Sequence, residues 1–333
     1  MTAEPPRPKP VVFDTGLRVP WAAYRFKLLH PLLARFGRFL LQGRTRRRYF
    51  VMPGDYVSDY TTRFGSFEAE EIAVARQVCR QAFGTERLEH GTMVDVGCHI
   101  GNYSVELGPD FGAVLAVDAV QTYAHITRAN LAWNGLAARS VVVCAAISDR
   151  EGTVRLQMER HGNLGHARVQ EGATSAADAL ETVQSLTLDA LIERQGLSDI
   201  AFIKLDIEGH EIQALRGAAQ TIARHAPVIQ VEVDKGHLPA VLDGLTATGI
   251  DYEAWQVLRG DPSCRNLAGR LWRALRAGGN PVFVRRLAEN HLNARHLPCV
   301  LLIPSRCAID WAALVPVPGP SHGKQTQRAD APG

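Results

Sequence analysis

The apolar positions of this chain change rhythm near residue 91. From 66 to 83 (SFEAEEIAVARQVCRQAF) they recur at helical spacing, with acids in the first turn, Ser66 available as a cap and Gly84 as a stop. That pattern predicts an amphipathic helix. Beyond it, short runs rich in Val, Ile and Ala take over: TMVDVG (92–97), AVLAVD (113–118), SVVVCAAI (140–147), AFIKLD (201–206) and PVIQVEV (227–233). Helical stretches fall between them near 102–107, 121–134, 187–195 and 211–224. Strands alternating with helices predict βαβ units and a parallel sheet covered on both faces. DGLTATGIDYEAWQVL (243–258) reads as a helix end followed by a strand, and LPCVLLIP (297–304) as a further strand. A basic insertion carrying Trp272 separates these two, at about 259–296.

The N-terminal part follows different rules. Residues 1–20 are Pro-rich, and 21–42 mix bulky apolar and basic residues at roughly helical spacing interrupted by Pro31. RTRRRYF (44–50) adds a basic cluster. The pattern fits a helix pair packed on the main domain, or an interfacial segment resting on anionic lipid. The expected organisation is a basic arm over 1–65, a catalytic domain over 66–304 and a tail over 305–333, whose Pro/Gly/polar end from 314 is expected to be disordered.

Composition sharpens this picture. Of the 333 residues, 46% are hydrophobic and 21% charged, ordinary for a globular protein, and no run of about 18 apolar residues suggests a membrane-spanning helix. The net charge of +3 hides a split. Residues 1–50 hold eleven Lys/Arg against Glu4 and Asp14, a balance of +9, and the remainder holds 26 against 32, a balance of −6. An acidic body argues against a nucleic-acid partner, while the arm can meet an anionic surface. The six cysteines form no C-x-x-C pair and read as small apolar residues in a reducing compartment. No secretory h-region is visible, and the absence of Ser before Ser58 argues against a transit peptide. A cytoplasmic location is expected, with peripheral contact at the inner face of a membrane through residues 21–50 as an extension of it.

Two segments carry chemistry. In VDVGCHIGNY (94–103) a strand ends at Asp95-Val96-Gly97, and Gly101 opens a helix. Position 99 is His and 102 is Asn, so neither the dinucleotide fingerprint nor a P-loop is present, and a nicotinamide-dependent oxidoreductase is disfavoured. An acid-x-Gly-x-x-x-Gly turn suits a ligand with a charged amino-acid end and no phosphate, with Asp95 accepting from an ammonium group. Asp118 ends the next strand, where an acid can bind both ribose hydroxyls. Together these describe S-adenosylmethionine. The second segment is AFIKLDIEGHE (201–211), in which Lys204, Asp206 and Glu208 alternate with Ile203, Leu205 and Ile207. Charges in a central strand are costly unless paired or functional. Asp206 is placed at the strand's C-terminal edge, and Glu232 at the end of the neighbouring strand. The two can deprotonate an acceptor hydroxyl or share a divalent cation, although no metal-ligand set is spelled out by the spacing.

VDVGCHIGNYS (94–104), AVDAVQTYAHITRANLAWNG (116–135), CAAISDREGTVRL (144–156), SLTLDALI (185–192) and DIAFIKLDIEGHEIQALRGA (199–218) resemble the FkbM family of S-adenosylmethionine-dependent methyltransferases. The resemblance covers about 66–303 and is strongest over 92–234. It implies a class I methyltransferase fold: a Rossmann-like, doubly wound, mostly parallel seven-stranded sheet whose last strand is antiparallel. It also implies methyl transfer to a hydroxyl of a sugar, a glycolipid or glycan, or a polyketide-like product. Asp95, Gly97 and Gly101 match the family's cofactor loop, with His99 in place of its usual Asn. Asp118 matches its ribose-binding acid, usually Glu, and Asn130 and Asn134 match its Asn pair. Asp206 is expected nearest the chemistry, kept ionised by Lys204, with Glu208, His210 and Glu232 as base or acceptor contacts. GNLGHARV (162–169) reads as an acceptor lid or a surface loop. A non-catalytic S-adenosylmethionine-binding or scaffold protein at a membrane surface is the alternative.

Overall fold

A computed structural model describes residues 47–158, 167–169, 180–234, 237–259, 282–287, 296–311 and 313–314. The expected helices of 21–42, residues 162–166 of the expected lid, most of the insertion with Trp272, and the end of the tail lie outside the described residues. By its contacts the chain divides into Met1–Gln42 and Gly43–Gly333. Everything below concerns the second unit.

Nine helices and twelve strands are described: α1 (Tyr56–Phe64), α2 (Ala69–Phe83), α3 (Thr85–His90), β1 (Thr92–Val96), α4 (Asn102–Glu106), β2 (Ala113–Asp118), α5 (Gln121–Trp133), β3 (Ser140–Cys144), β4 (Ala146–Ile147), β5 (Gly152–Met158), β6 (Ala167–Val169), β7 (Leu180–Leu186), α6 (Leu188–Arg194), β8 (Ile200–Leu205), α7 (Glu211–Arg216), α8 (Ala219–His225), β9 (Val228–Asp234), α9 (Leu238–Thr246), β10 (Tyr252–Arg259), β11 (Val282–Arg286) and β12 (His296–Pro304). The main sheet runs β3-β2-β1-β8-β9-β12-β10-β11. Strands β3, β2, β1, β8 and β9 are parallel, and the last strand of the chain, β12, inserts antiparallel between β9 and β10. This is the expected seven-stranded layout. One strand was not foreseen: β11, from within the insertion, extends the edge antiparallel to β10.

Strand alternation sorts the core into two layers. Val94, Val96, Ile203 and Leu205 pack with residues of α6 to α9 on one face. Met93 and Phe202 pack with Ile72, Val78 and Cys79 of α2 on the other. The run SVVVCAAI divides at Ala145, so that β3 stays in the main sheet while β4 starts a second one, β4-β7-β5-β6. The helix expected over 211–224 is broken at Gly217-Ala218. A side chain at Gly217 would lie 2.0 Å from the Ser148 carbonyl oxygen, so only glycine lets the second sheet pass this close. Ser66 does not cap α2. Its N-cap residue is Glu68, in the left-handed region with no side-chain cap, and the Ser66 hydroxyl instead meets Asn102 Oδ1 at 3.2 Å.

Residues 47–50 are pinned along α5 by two asparagines. Asn130 Oδ1 accepts from the Phe50 N–H at 2.6 Å, while its Nδ2 donates to the Phe50 and Ile100 carbonyls at 3.0 and 2.7 Å. One turn on, Asn134 makes the same reciprocal pair with Arg48, at 3.2 and 2.8 Å. Replacing Asn130 with Ala strands three backbone groups. We expect a loss of about 2 kcal/mol in urea unfolding and faster tryptic cleavage at Arg47 and Arg48; unchanged cleavage would show that the clamp does not hold the segment.

Candidate active site

In open α/β sheets ligands bind beyond the strand ends, where the strand order reverses. Here the order reverses between β1 and β8, and a cavity of about 310 Å³ opens at that place. It is lined by Gly97 after β1, Asp118 at the end of β2, Asp206 after β8 and Glu232 in β9. The two segments singled out in the sequence are thus one site. Their contact explains Gly97: its φ is +77°, and a Cβ would fall 1.9 Å from the Asp206 carbonyl oxygen.

The glycine turn is built from within. Asp118 accepts from the His99 and Val120 N–H groups, both at 2.8 Å, one on each carboxylate oxygen. Burial pushes its carboxyl up to about 6. His99 lies at φ +53° and stacks on Tyr123 with ring centroids 3.9 Å apart. Its Nε2 sits 3.1 Å from Asp55 Oδ1, so the segment before α1 is tied to the turn, and both His99 and Tyr123 line the cavity. Asp95 and Gly101 stand outside the lining. Asp95 is 1% exposed, and its Oδ2 accepts from the Ser104 N–H and hydroxyl at 3.0 and 2.7 Å. Gly101 takes the left-handed conformation that starts α4, and a Cβ there would meet Thr127 at 2.9 Å. It lets α5 pack close against the start of α4. Asn130 also lies away from the cavity, occupied by the clamp on Phe50.

At the other wall Lys204 is the organising charge. On β8 it is in register with Asp95 of β1, on the face away from α6 to α9. Its Nζ lies 2.7 Å from Asp206 Oδ2 and 4.5 Å from the centre of the Tyr103 ring. Burial works against its charge, but Asp206, Asp95 and Glu68 outweigh that and raise its pKa above the usual value. Burial likewise pushes the Asp206 carboxyl up, yet the Lys204 charge and hydrogen bond hold it below its ordinary range. Glu232 faces the reverse balance. Burial, then the Asp206 charge, drive it up to about 8. The cleft therefore holds one carboxylate kept ionised beside another that carries a proton near neutrality.

Two further acids reach the cavity. Glu208 was expected; Glu68 was not, because an acid before α2 reads as part of a helix start. Glu68 accepts from the Tyr103 hydroxyl at 2.9 Å, and burial raises its pKa. Tyr56 and Val57, from the segment first assigned to the arm, and Phe67 complete this wall. His210 stands outside the lining: it is 7% exposed, with Nε2 2.9 Å from the Ser148 hydroxyl. It ties the motif to the second sheet. Five non-glycine residues among those described have positive φ, and three of them, Glu68, His99 and Glu208, line this cavity. Such strain collects where a site imposes its geometry on the chain. Among the described residues no group of three or more His, Cys, Asp or Glu is placed to hold a metal ion. The five described cysteines are free, and Cys264 lies outside the described residues.

A family model described as Methyltransferase FkbM domain matches residues 89–268, more than half of the chain. The chain belongs to the FkbM methyltransferase family. Membership implies S-adenosylmethionine as methyl donor. A curated relative of this FkbM chain, a tRNA/tmRNA (uracil-C(5))-methyltransferase of Shewanella amazonensis (strain ATCC BAA-1098 / SB2B), is 26% identical over 153 residues, 42% of this chain and 41% of the relative. The chain thus spans about two fifths of that protein. Among solved structures, a methyltransferase FkbM from Methylobacillus flagellatus KT is 15% identical, with a TM-score of 0.38 over 74% of this chain and 60% of that one. An O-methyltransferase from Bacillus cereus in complex with SAH is 12% identical, with a TM-score of 0.34 over 83% and 90%. At these scores neither bears on the site. Among the described residues, no helix of the FkbM chain is long and apolar enough to cross a membrane.

The raised Glu232 fixes a sign. Unfolded, a Glu titrates near 4.3; folded, this one titrates near 8. Between those values the folded state holds the extra proton, so Glu232 costs stability as pH rises. We expect Glu232→Gln to match the wild type in urea unfolding near pH 4 and to exceed it increasingly up to pH 8. A stability difference independent of pH would refute the raised pKa.

Proposed function

We propose that this FkbM chain is an S-adenosylmethionine-dependent O-methyltransferase acting on a hydroxyl of a neutral acceptor, of the sugar, glycan, glycolipid or polyketide-like kind. The observation that carries the reading is Glu232: a cavity-lining carboxyl raised to about 8 beside an Asp206 kept ionised by Lys204. A carboxylate with so high a pKa is a better proton acceptor than an ordinary one, as removing a hydroxyl proton requires.

The lining suits the donor. It contains five carboxyl residues, Glu68, Asp118, Asp206, Glu208 and Glu232, and no Lys or Arg. Such a surface favours the cationic sulfonium and ammonium groups and disfavours phosphate. The Gly97 turn, His99 and Asp118 would hold the donor. When bound it supplies an electrophilic methyl group. Glu232 takes the proton from the acceptor hydroxyl, while Asp206, fixed by Lys204, keeps a negative charge beside it. Tyr56, Phe67 and Ile207 line the cavity with apolar surface that limits water. The same acidic lining supports an acceptor other than nucleic acid, unlike that named for the Shewanella relative.

The test has two stages. S-adenosylmethionine should raise the melting temperature, and NAD should not. With a hydroxyl acceptor found by labelled-methyl transfer, kcat/KM should rise with pH up to about 8, and Glu232→Gln should lower kcat by roughly 10²–10⁴-fold while the thermal shift persists. Wild-type turnover by Glu232→Gln would remove Glu232 from this role. Cofactor binding without turnover on any acceptor would instead favour a scaffold protein.

A further inference from the structure

The described residues include four exposed large hydrophobic side chains: Phe50 (49%), Val51 (36%), Tyr56 (60%) and Trp133 (47%). Single exposed apolar residues need no explanation, but a cluster does. Three of these fall within seven residues of one segment, and the fourth packs a tilted ring against the first, with Phe50 and Trp133 ring centroids 4.4 Å apart. The pair is also held in place. The Asn130 and Asn134 clamp fixes the Arg48 and Phe50 backbone along α5, whose last residue is Trp133. Two buried or half-buried amides are thus spent on presenting an aromatic pair to solvent.

Charge identifies the partner. Arg47 and Arg48 immediately precede the pair, closing the run RTRRR (44–48), in a body that is otherwise net acidic. Arginines beside exposed Trp and Phe match a bilayer interface: the rings enter the headgroup region and the guanidinium groups face anionic lipid. We propose that Arg47, Arg48, Phe50, Val51 and Trp133 form a rigid docking surface for anionic membranes, held by the Asn130 and Asn134 clamp. Tyr56, on the same segment, lines the catalytic cavity, so docking brings the cavity close to the lipid surface. This surface is independent of the methyl-transfer chemistry, since none of its five residues lines the cavity.

The experiment is co-sedimentation of the full chain with vesicles of phosphatidylcholine alone or mixed with phosphatidylserine. The wild type should bind only the mixed vesicles. Phe50→Ser combined with Trp133→Ser should lower the partition coefficient on the order of 10²-fold, and Arg47→Glu combined with Arg48→Glu at least about tenfold. These positions are exposed or half-buried, and an unchanged melting temperature and thermal shift with S-adenosylmethionine confirm that each variant is folded. Equal binding to both vesicle types overturns the proposal. So does full binding by the aromatic variant with loss only on removal of residues 1–46, which would assign the contact to the preceding arm.

Discussion

A lysine ammonium in the interior of a sheet is the constraint around which this site is arranged. Burying Lys204 costs several kcal/mol unless opposite charge comes with it. Asp206 supplies that charge at 2.7 Å, Asp95 stands in register on the neighbouring strand, and the Tyr103 ring offers its face. Once Asp206 is ionised in this buried cleft, the next carboxyl cannot easily ionise as well. Glu232 is that carboxyl, and its high pKa follows from its burial first and the Asp206 charge second.

The same lysine links the two halves of the cleft. Tyr103, beneath Lys204, donates to Glu68 and accepts from Gln230 at 2.5 Å, so α2, α4 and β9 meet at one hydroxyl. Gly97 presses against the Asp206 backbone, which joins the glycine turn to the acidic strand end. Asp118 holds that turn with both oxygens, and His99 ties it to the segment before α1. A change in any of these contacts moves the walls of the cavity as well as the turn.

The main sheet was legible because its cause is local. Continuous Val/Ile runs alternating with helical spacing specify buried parallel strands, and the strands quoted from the sequence formed within a residue or two, except that SVVVCAAI divides between two sheets. β11 and the strands β5 and β7 of the second sheet were missed because polar and charged residues alternate with their apolar ones, so they lack the continuous Val/Ile runs of the main sheet. At the site, Asp118, Asp206, Glu208 and Glu232 were legible as acids at strand ends. Glu68 was not, since its role depends on a left-handed backbone and on Tyr103, far along the chain. The placement of His210 and Asn130 was not legible either. One bonds Ser148 and the other clamps Phe50, both away from the cavity lining. Both contacts span more than sixty residues of sequence, which no local pattern reveals.

Carboxyl ¹³C NMR of the wild type and of Lys204→Met, followed over pH, tests the central claim most directly. The account predicts one Glu resonance titrating near pH 8 and one Asp resonance titrating below the ordinary range in the wild type, with the Asp midpoint moving upward once Lys204 is replaced. Wild-type Asp and Glu carboxyls all titrating at ordinary values, or an Asp206 resonance indifferent to Lys204→Met, would contradict it.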